Sequence, residues 1–419
     1  MMLKLAFKSL WNRRFTASLT ILTIALSVSL LLGVDKIRES ARESFTQTIS
    51  GTDLIVGARS GPIQLLLYAV FRIGDPTNNV SWASYQKIAA HRQVAWSIPI
   101  SLGDSHRGFR VLGTTPAYFE HLRFRQNSKL EFSRGQPFND LYDAVIGAQV
   151  ARELNYQLGE KIVIAHGAAV VNLQSHDDKP FVVVGILKAT GTPVDRTVHV
   201  SLQAIEAIHS DWRSGTRAPA GSAISAEAAR ALSLQPTTIT AFYLGLKSKI
   251  STFMIQRGVN EYREEALLAI LPAVALQQLW SLLGVAEKAL LVIAGFVVLS
   301  GLLGMLSAIL STLNERRREM AILRSVGARP MHIFTLMIAE AGLLALLGIA
   351  IGVVLTYALI LIAQPLLEAR AGIFISLSLL KTSQWQLLGL IVLSALLMGA
   401  IPAWLAYRRS LSDGMSIRT

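Results

Sequence analysis

Four uninterrupted apolar runs set the frame of the chain. Residues 15–34, 289–313, 341–367 and 382–407 contain no charged residue over 20, 25, 27 and 26 positions. A helix rises about 1.5 Å per residue, so each run can cross a hydrocarbon core of about 30 Å. The pattern predicts four transmembrane helices. The first follows a basic start (Lys4, Lys8, Arg13, Arg14), as a secretion signal would. Its apolar stretch is longer than the roughly 7–15 residues of a signal core, and no small-x-small cleavage site follows. Asp35-Lys36-Ile37-Arg38 resumes a polar, helix-compatible chain, so the first helix is read as a retained anchor.

Between the first and second runs the periodicity changes. Residues 36–48 read as a helix continuing from span 1, 53–56 as a short strand, 81–91 as a helix, and 94–102 and 109–113 as strands. A strand–helix–strand follows at 143–146, 149–155 and 161–165, then strands at 181–187 and 197–201. Residues 214–236, rich in Ala, Ser, Gly and Pro, read as a loop with at most one short helix. A strand at 238–246, a helix at 250–264 and a helix from 275 to 288 running into span 2 complete the segment. The fold class is therefore an α-helical four-span membrane domain plus a large α+β extracytoplasmic domain inserted between spans 1 and 2. The expected divisions are 1–34 (N-terminal amphipathic helix and span 1), 35–285 (the inserted domain with helical stalks) and 286–419 (spans 2–4). The stalks suit mechanical coupling or simple tethering. In residues 1–14, Leu3, Phe7, Leu10 and Trp11 share a face away from Lys4, Lys8 and Arg13. That segment is either an interfacial helix or a basic anchor flank. The apolar patch 63–71 is either a protein contact or part of the core.

Composition sharpens the topology. Of 419 residues, 52% are hydrophobic and 16% charged, against about 25% charged in soluble domains. The net charge of +13 is localised beside helix ends. Residues 1–34 hold four Lys/Arg and no acid, whereas 35–285 hold 25 Lys/Arg against 21 Asp/Glu. Positive residues flanking spans mark the cytoplasmic side. Both termini and residues 314–330 are expected in the cytoplasm, and 35–285 outside it. A nucleic-acid partner would need a basic face with stacking aromatics, which the chain lacks. The absence of cysteine excludes disulfides, a thiolate metal site and a Cys nucleophile.

Chemical motifs are few. GTDLIVGARS (51–60) fails the phosphate-loop pattern because Ala58 stands where Lys is required. No nucleotide site is expected, and no catalytic residue. Seven of eight histidines (His91, His106, His121, His166, His176, His199, His209) fall in the inserted domain. None shows the i, i+4 spacing of a zinc helix, so no metal ligand is assigned, and His176-Asp177-Asp178 reads as an exposed turn. Glu340 is the carboxylate inside an apolar run, expected to contact another helix or serve transport. Gly348 and Gly352 form a G-x-x-x-G, and Gly301 and Gly304 lie in span 2. Such spacing serves dimerisation or packing within a subunit.

Residues 314–330 (NERRREMAILRSVGARP) carry five Arg and two Glu between two spans. Apolar Met320, Ile322, Leu323 and Val326 interleave with the charges; Gly327 ends the run and Pro330 opens the next helix. This exceeds what topology needs, and reads as either a topological stop or a docking element. ERRREMAILRSVGARP (315–330), matching through Arg317, Arg318, Glu319, Met320, Ala321, Ile322, Leu323, Arg324, Ser325, Val326, Gly327 and Ala328, resembles the signature between spans 2 and 3 of FtsX-like, MacB/LolC-type (type VII) ABC transporter permeases. AVIGAQVARELNYQLGEKIVI (144–164), FVVVGILKATGTPVDRTVHVSL (181–202) and IAEAGLLALLGIAIGVVL (338–355) resemble the same family. The resemblance implies a permease subunit in the bacterial inner membrane, not itself an enzyme. It implies a second permease copy, as homodimer or heterodimer, and a dimer of cytoplasmic ABC ATPase subunits that hold the ATP and Mg. A periplasmic or lipoprotein accessory protein is a further implied partner. Residues 314–330 would be the coupling helix, with Arg316, Arg317, Arg318, Glu319 and Arg324 orienting it, Met320, Ile322 and Leu323 filling a groove on the ATPase, and Gly327 closing it. The motion would act on an envelope substrate: lipoprotein, lipid, peptide or drug-like. Segment 51–80 departs from the better-known branches and resembles permeases associated with metal (zinc) homeostasis. A signalling permease that activates a cell-wall hydrolase is another alternative.

Overall fold

The computed structural model describes residues 10–11, 13–46, 48–125, 127–167, 176–210, 224–313, 322, 325–371, 375 and 377–412. The chain divides into two compact units, 1–40 with 284–365 and 375–419, and 41–283 with 366–374. The divisions at 40/41 and 283/284 fall inside two long helices, Arg14–Thr46 and Pro272–Ser311.

The second unit is α+β. Its sheet contains β1 (Leu54–Ala58), β2 (Val94–His106), β3 (Phe109–Thr114), β4 (Phe132–Gly135), β5 (Asp143–Ile146), β6 (Lys161–Ile162), β7 (Ala165–His166), β8 (Phe181–Leu187), β9 (Thr197–Ser201), β10 (Ala241–Leu246) and β11 (Leu267–Ile270). The order is β11-β1-β10-β2-β3-β9-β5-β8-β4, with β7 on β2 and β6 on β8. β5–β8 and β3–β9 are parallel, and the other pairs are antiparallel. β1 is buried at all five positions. Its neighbours on both sides and apolar layers on both faces explain why it reads as a continuous run, LIVGA, and not as an alternation.

Helices cover the sheet. Trp82–Ala89 starts at Ser81, whose hydroxyl accepts from Ser84 N, and Leu202–His209 starts at Ser201, which accepts from Ala204 N. Both are side-chain caps of orphan helix donors. Ala148–Leu154 opens at Gly147 instead. There a Cβ would stand 2.3 Å from Val194 O and 2.4 Å from Asp195 O, so the close approach of two backbones requires glycine. The core holds Tyr68, Tyr118, Phe181, Phe242 and Tyr243, each at most 1% exposed.

The expected helix 250–264 is shorter: a 3-10 turn Lys249–Ser251 leads into Thr252–Asn260, and β11 follows as a strand that the pattern did not indicate. The strand expected at 161–165 is split into β6 and β7. Patch 63–71 is not a contact surface. It forms Pro62–Leu66 and a π-helical turn Leu67–Phe71, with Leu65, Leu66, Tyr68, Ala69, Val70 and Phe71 buried.

The first unit is helical. Among the described residues four helices are long and apolar enough to cross a membrane: Arg14–Ser40, Pro272–Ser311, Pro330–Leu366 and Thr382–Arg408. Their core joins Ile24, Val28, Leu302, Met305, Met337, Ala345 and Ala395, while Phe15, Phe296, Val354 and Ile362 point outward, each at least 67% exposed. An apolar exterior on helices, whose backbone groups bond within the segment, suits a lipid solvent. The expected helix 1–14 lies largely outside the described residues.

Candidate functional site

The segment between the second and third apolar helices carries the arginine cluster. Residues 314–321, 323 and 324 lie outside the described residues, and with them Arg316, Arg317, Arg318, Glu319, Met320, Leu323 and Arg324. Ile322 is described as helical and 61% exposed, and Val326 is 83% exposed. Val326 N donates to Ile322 O at 3.2 Å. Gly327 then takes φ +96°, a left-handed stop, before Pro330 begins the next helix. Two large apolar side chains thus stand uncovered on a short turn.

Glu340 is buried and lines a cleft with Arg13, Thr16, Thr20, Thr312 and Leu344. Arg13 itself donates to Thr312 O at 3.3 Å. The carboxylate therefore faces the helix bundle, among polar groups from the first and second apolar helices, as an interhelix contact requires. Gly348 and Gly352 both lie against the first apolar helix. A Cβ at Gly348 would be 2.6 Å from Ile24 Cγ2, and at Gly352 2.8 Å from Ala25 O. Gly301 approaches Ser27 in the same way, while Gly304 has nothing within 4 Å. The G-x-x-x-G seam is filled within the chain. At the other end of that helix, Gln384 donates to Asp35 at 2.9 Å, Lys36 donates to Ser378 O at 2.7 Å, and Lys381 pairs with Glu39.

In the α+β unit the fold gathers side chains that the sequence separates. His166, His176 and His209 each offer a ring nitrogen within 4.8 Å of the others. β7 places His166 directly across from Asp104 on β2. His166 Nδ1 lies 3.1 Å from Asp104 Oδ1, and His209 Nε2 lies 3.6 Å from the same oxygen. His166 Nε2 and His176 Nε2 are 3.1 Å apart. His209, the last residue of its helix, donates Nδ1–H to Ile205 O at 2.7 Å. Burial would raise the Asp104 carboxyl, but hydrogen bonds from His166 and His209 outweigh it and hold it at about 2. Burial, then the neighbouring His166 and His209, push His176 down to about 4. His176 is 2% exposed, so the exposed turn expected at 176–178 is corrected at its first residue.

Spacing in sequence hid this cluster, because its members come from a strand, a loop and a helix that only the tertiary fold brings together. The available signal was a histidine ending one strand and another ending a helix. The other histidines go elsewhere. His106 bonds Val163 O and Tyr156, His121 stacks on Trp96 at 5.3 Å, and His199 is fully buried against Val145 O.

Two family models match the chain: MacB-like periplasmic core domain over residues 17–239, and FtsX-like permease C-terminal over residues 291–412. The chain belongs to the FtsX/MacB-type ABC permease family. No curated protein matches the permease. Among solved structures it is similar to the periplasmic region of MacB from Actinobacillus actinomycetemcomitans, at 8% identity and a TM-score of 0.33, covering 55% of the permease and 94% of that chain. It is also similar to the extracellular domain of the noncanonic ABC-type transporter YknZ from Gram-positive bacteria, at 13% identity and a TM-score of 0.31, covering 52% and 99%. The arginine-rich turn of the permease falls inside the FtsX-like match, and the histidine cluster falls inside the MacB-like one.

Proposed function

We propose that the permease couples ATP hydrolysis in a cytoplasmic ABC ATPase dimer to movement of its α+β domain on the far side of the bacterial inner membrane. Both termini and residues 314–330 face the cytoplasm, following the placement of Lys and Arg beside the apolar helices. Two permease copies and two ATPase subunits make the assembly, and the ATPases hold ATP and Mg. The substrate is an envelope molecule of lipoprotein, lipid, peptide or drug-like class. The observation that carries the reading is the exposure of Ile322 and Val326, followed by the left-handed Gly327, in a sequence segment of five Arg and two Glu. Exposed apolar side chains interleaved in sequence with arginines are what a docking helix presents to a groove.

The test is Glu319→Lys combined with Leu323→Asp. Permease-stimulated ATPase activity should fall at least tenfold in the double variant, while thermal unfolding of the α+β domain stays unchanged. Full stimulation in that variant, or failure of any ABC ATPase to co-purify with the crosslinked wild type, overturns the assignment.

A further inference from the structure

We propose that His166, His176 and His209 form a binding site for a divalent late first-row metal ion, Zn²⁺ in the first instance, with Asp104 orienting the set. The inference stands on side-chain geometry and does not depend on ATPase coupling.

Three features point to it. The first is convergence. Ligand nitrogens at about 2.0–2.1 Å from a tetrahedral zinc are about 3.3–3.4 Å from one another. The observed Nε2–Nε2 separation of His166 and His176 is 3.1 Å, while His209 Nε2 lies 3.3 Å from His166 Nδ1 and has to turn toward the other two Nε2 atoms to join them. All three ligand nitrogens fit within 4.8 Å, a span that small side-chain rotations close onto one ion.

The second is the outer contacts. A ligating imidazole holds its other N–H on a carboxylate or a backbone carbonyl, which fixes the tautomer and leaves the remaining lone pair for the metal. His166 Nδ1 faces Asp104 Oδ1 at 3.1 Å, and His209 Nδ1 faces Ile205 O at 2.7 Å. The first leaves His166 Nε2 facing His176 Nε2; His209 Nε2, 3.6 Å from Asp104 Oδ1, is the nitrogen that turns from the carboxylate onto the ion. Asp104 is 4% exposed and adds a negative charge beside the cation.

The third is access. The His166 and His209 side chains are 26% and 33% exposed, whereas His176 is buried. One flank is closed by protein and one is open to solvent. Three histidines fall one short of the four protein ligands of a closed structural zinc site, as suits a site that takes up and releases its ion. Imidazole donors select zinc, copper or nickel over magnesium and calcium.

The competing arrangement is a hydrogen-bonded network in which one imidazole donates to the next. A full-length permease without a histidine tag separates the two. The protein is stripped with a chelator and titrated with Zn²⁺ against a chromophoric competitor, then with Co²⁺ while the visible spectrum is recorded. One tight equivalent per chain is expected, together with the intense d–d bands of a four-coordinate cobalt site. His176→Ala and His209→Ala should each weaken binding at least 100-fold, and Asp104→Asn by 10–100-fold. His91→Ala should bind as the wild type does. A wild-type protein with no stoichiometric Zn²⁺ site, or with only the faint spectrum of six-coordinate cobalt, overturns the proposal whether or not the variants fold. So does a folded His209→Ala variant with undiminished affinity.

Discussion

His199 lies fully buried on β9, between the rings of Tyr118 and Phe119, with Nδ1 on Val145 O at 3.2 Å. Burial, aided by the positive charge of Arg72, pushes it down to about 3. Folded protein therefore keeps a neutral imidazole where unfolded chain, with an ordinary value near 6.5, takes a proton. The stability this neutral form supports is present above about pH 6.5 and declines as pH falls toward 3. Between pH 7 and pH 5 the wild-type domain should lose about 2 kcal/mol more than His199→Leu does. Unfolding followed in parallel at the two pH values tests this; superimposable pH profiles would count against it. This residue also marks a limit of sequence reading. Seven histidines in one domain looked equivalent as a list of spacings, yet His199 is a core side chain, His121 a stacking partner and His166 a member of a convergent cluster. Only pairing β7 onto β2 distinguishes them, because that pairing sets Asp104 opposite His166.

Among elements, the first apolar helix is the one the others close on. Its most apolar window is 44% buried, against 22% for the second helix. It receives both Gly348 and Gly352 of the third, and Gly301 of the second. Gly348→Leu would drive a side chain into Ile24 and should cost about 1–3 kcal/mol by overpacking. Gly304→Leu, where nothing stands within 4 Å, is the control and should leave the detergent melting temperature unchanged. Equal loss in both variants would refute the packing role. The helices were legible because an apolar run of over 20 residues has few other structural solutions. Strands β5, β8 and β9 were legible to the residue, each a short apolar run between turn residues. β11 was not: LLAI follows Arg263, Glu264 and Glu265 and precedes Pro272, a context that reads equally as a helix ending. The π-helical turn at Leu67–Phe71 was likewise hidden, since its apolar residues say buried or binding without saying which.

For the whole molecule, the two units divide within continuous helices, at 40/41 and 283/284. If those helices carry force, stiffness is their working property. Inserting two glycines between Ser40 and Ala41 should cut permease-stimulated ATPase activity at least tenfold, with the unfolding of each unit unchanged; each glycine costs only about 1 kcal/mol of helix stability. Retained stimulation would mean that the helix is a tether.

The pairing of β1 with β11 has a mechanical meaning. The strand that follows the first long helix and the strand that precedes the second lie side by side and antiparallel, with Ile55 opposite Ile270. Both attachments therefore sit at one end of a single ladder of hydrogen bonds. Such a ladder is weak against a load that spreads its ends, because the bonds then break in succession, as in a zipper. It is strong only when both ends are drawn the same way. A force prying the two chain attachments apart would therefore open the domain at the seam where the chain comes in and goes out.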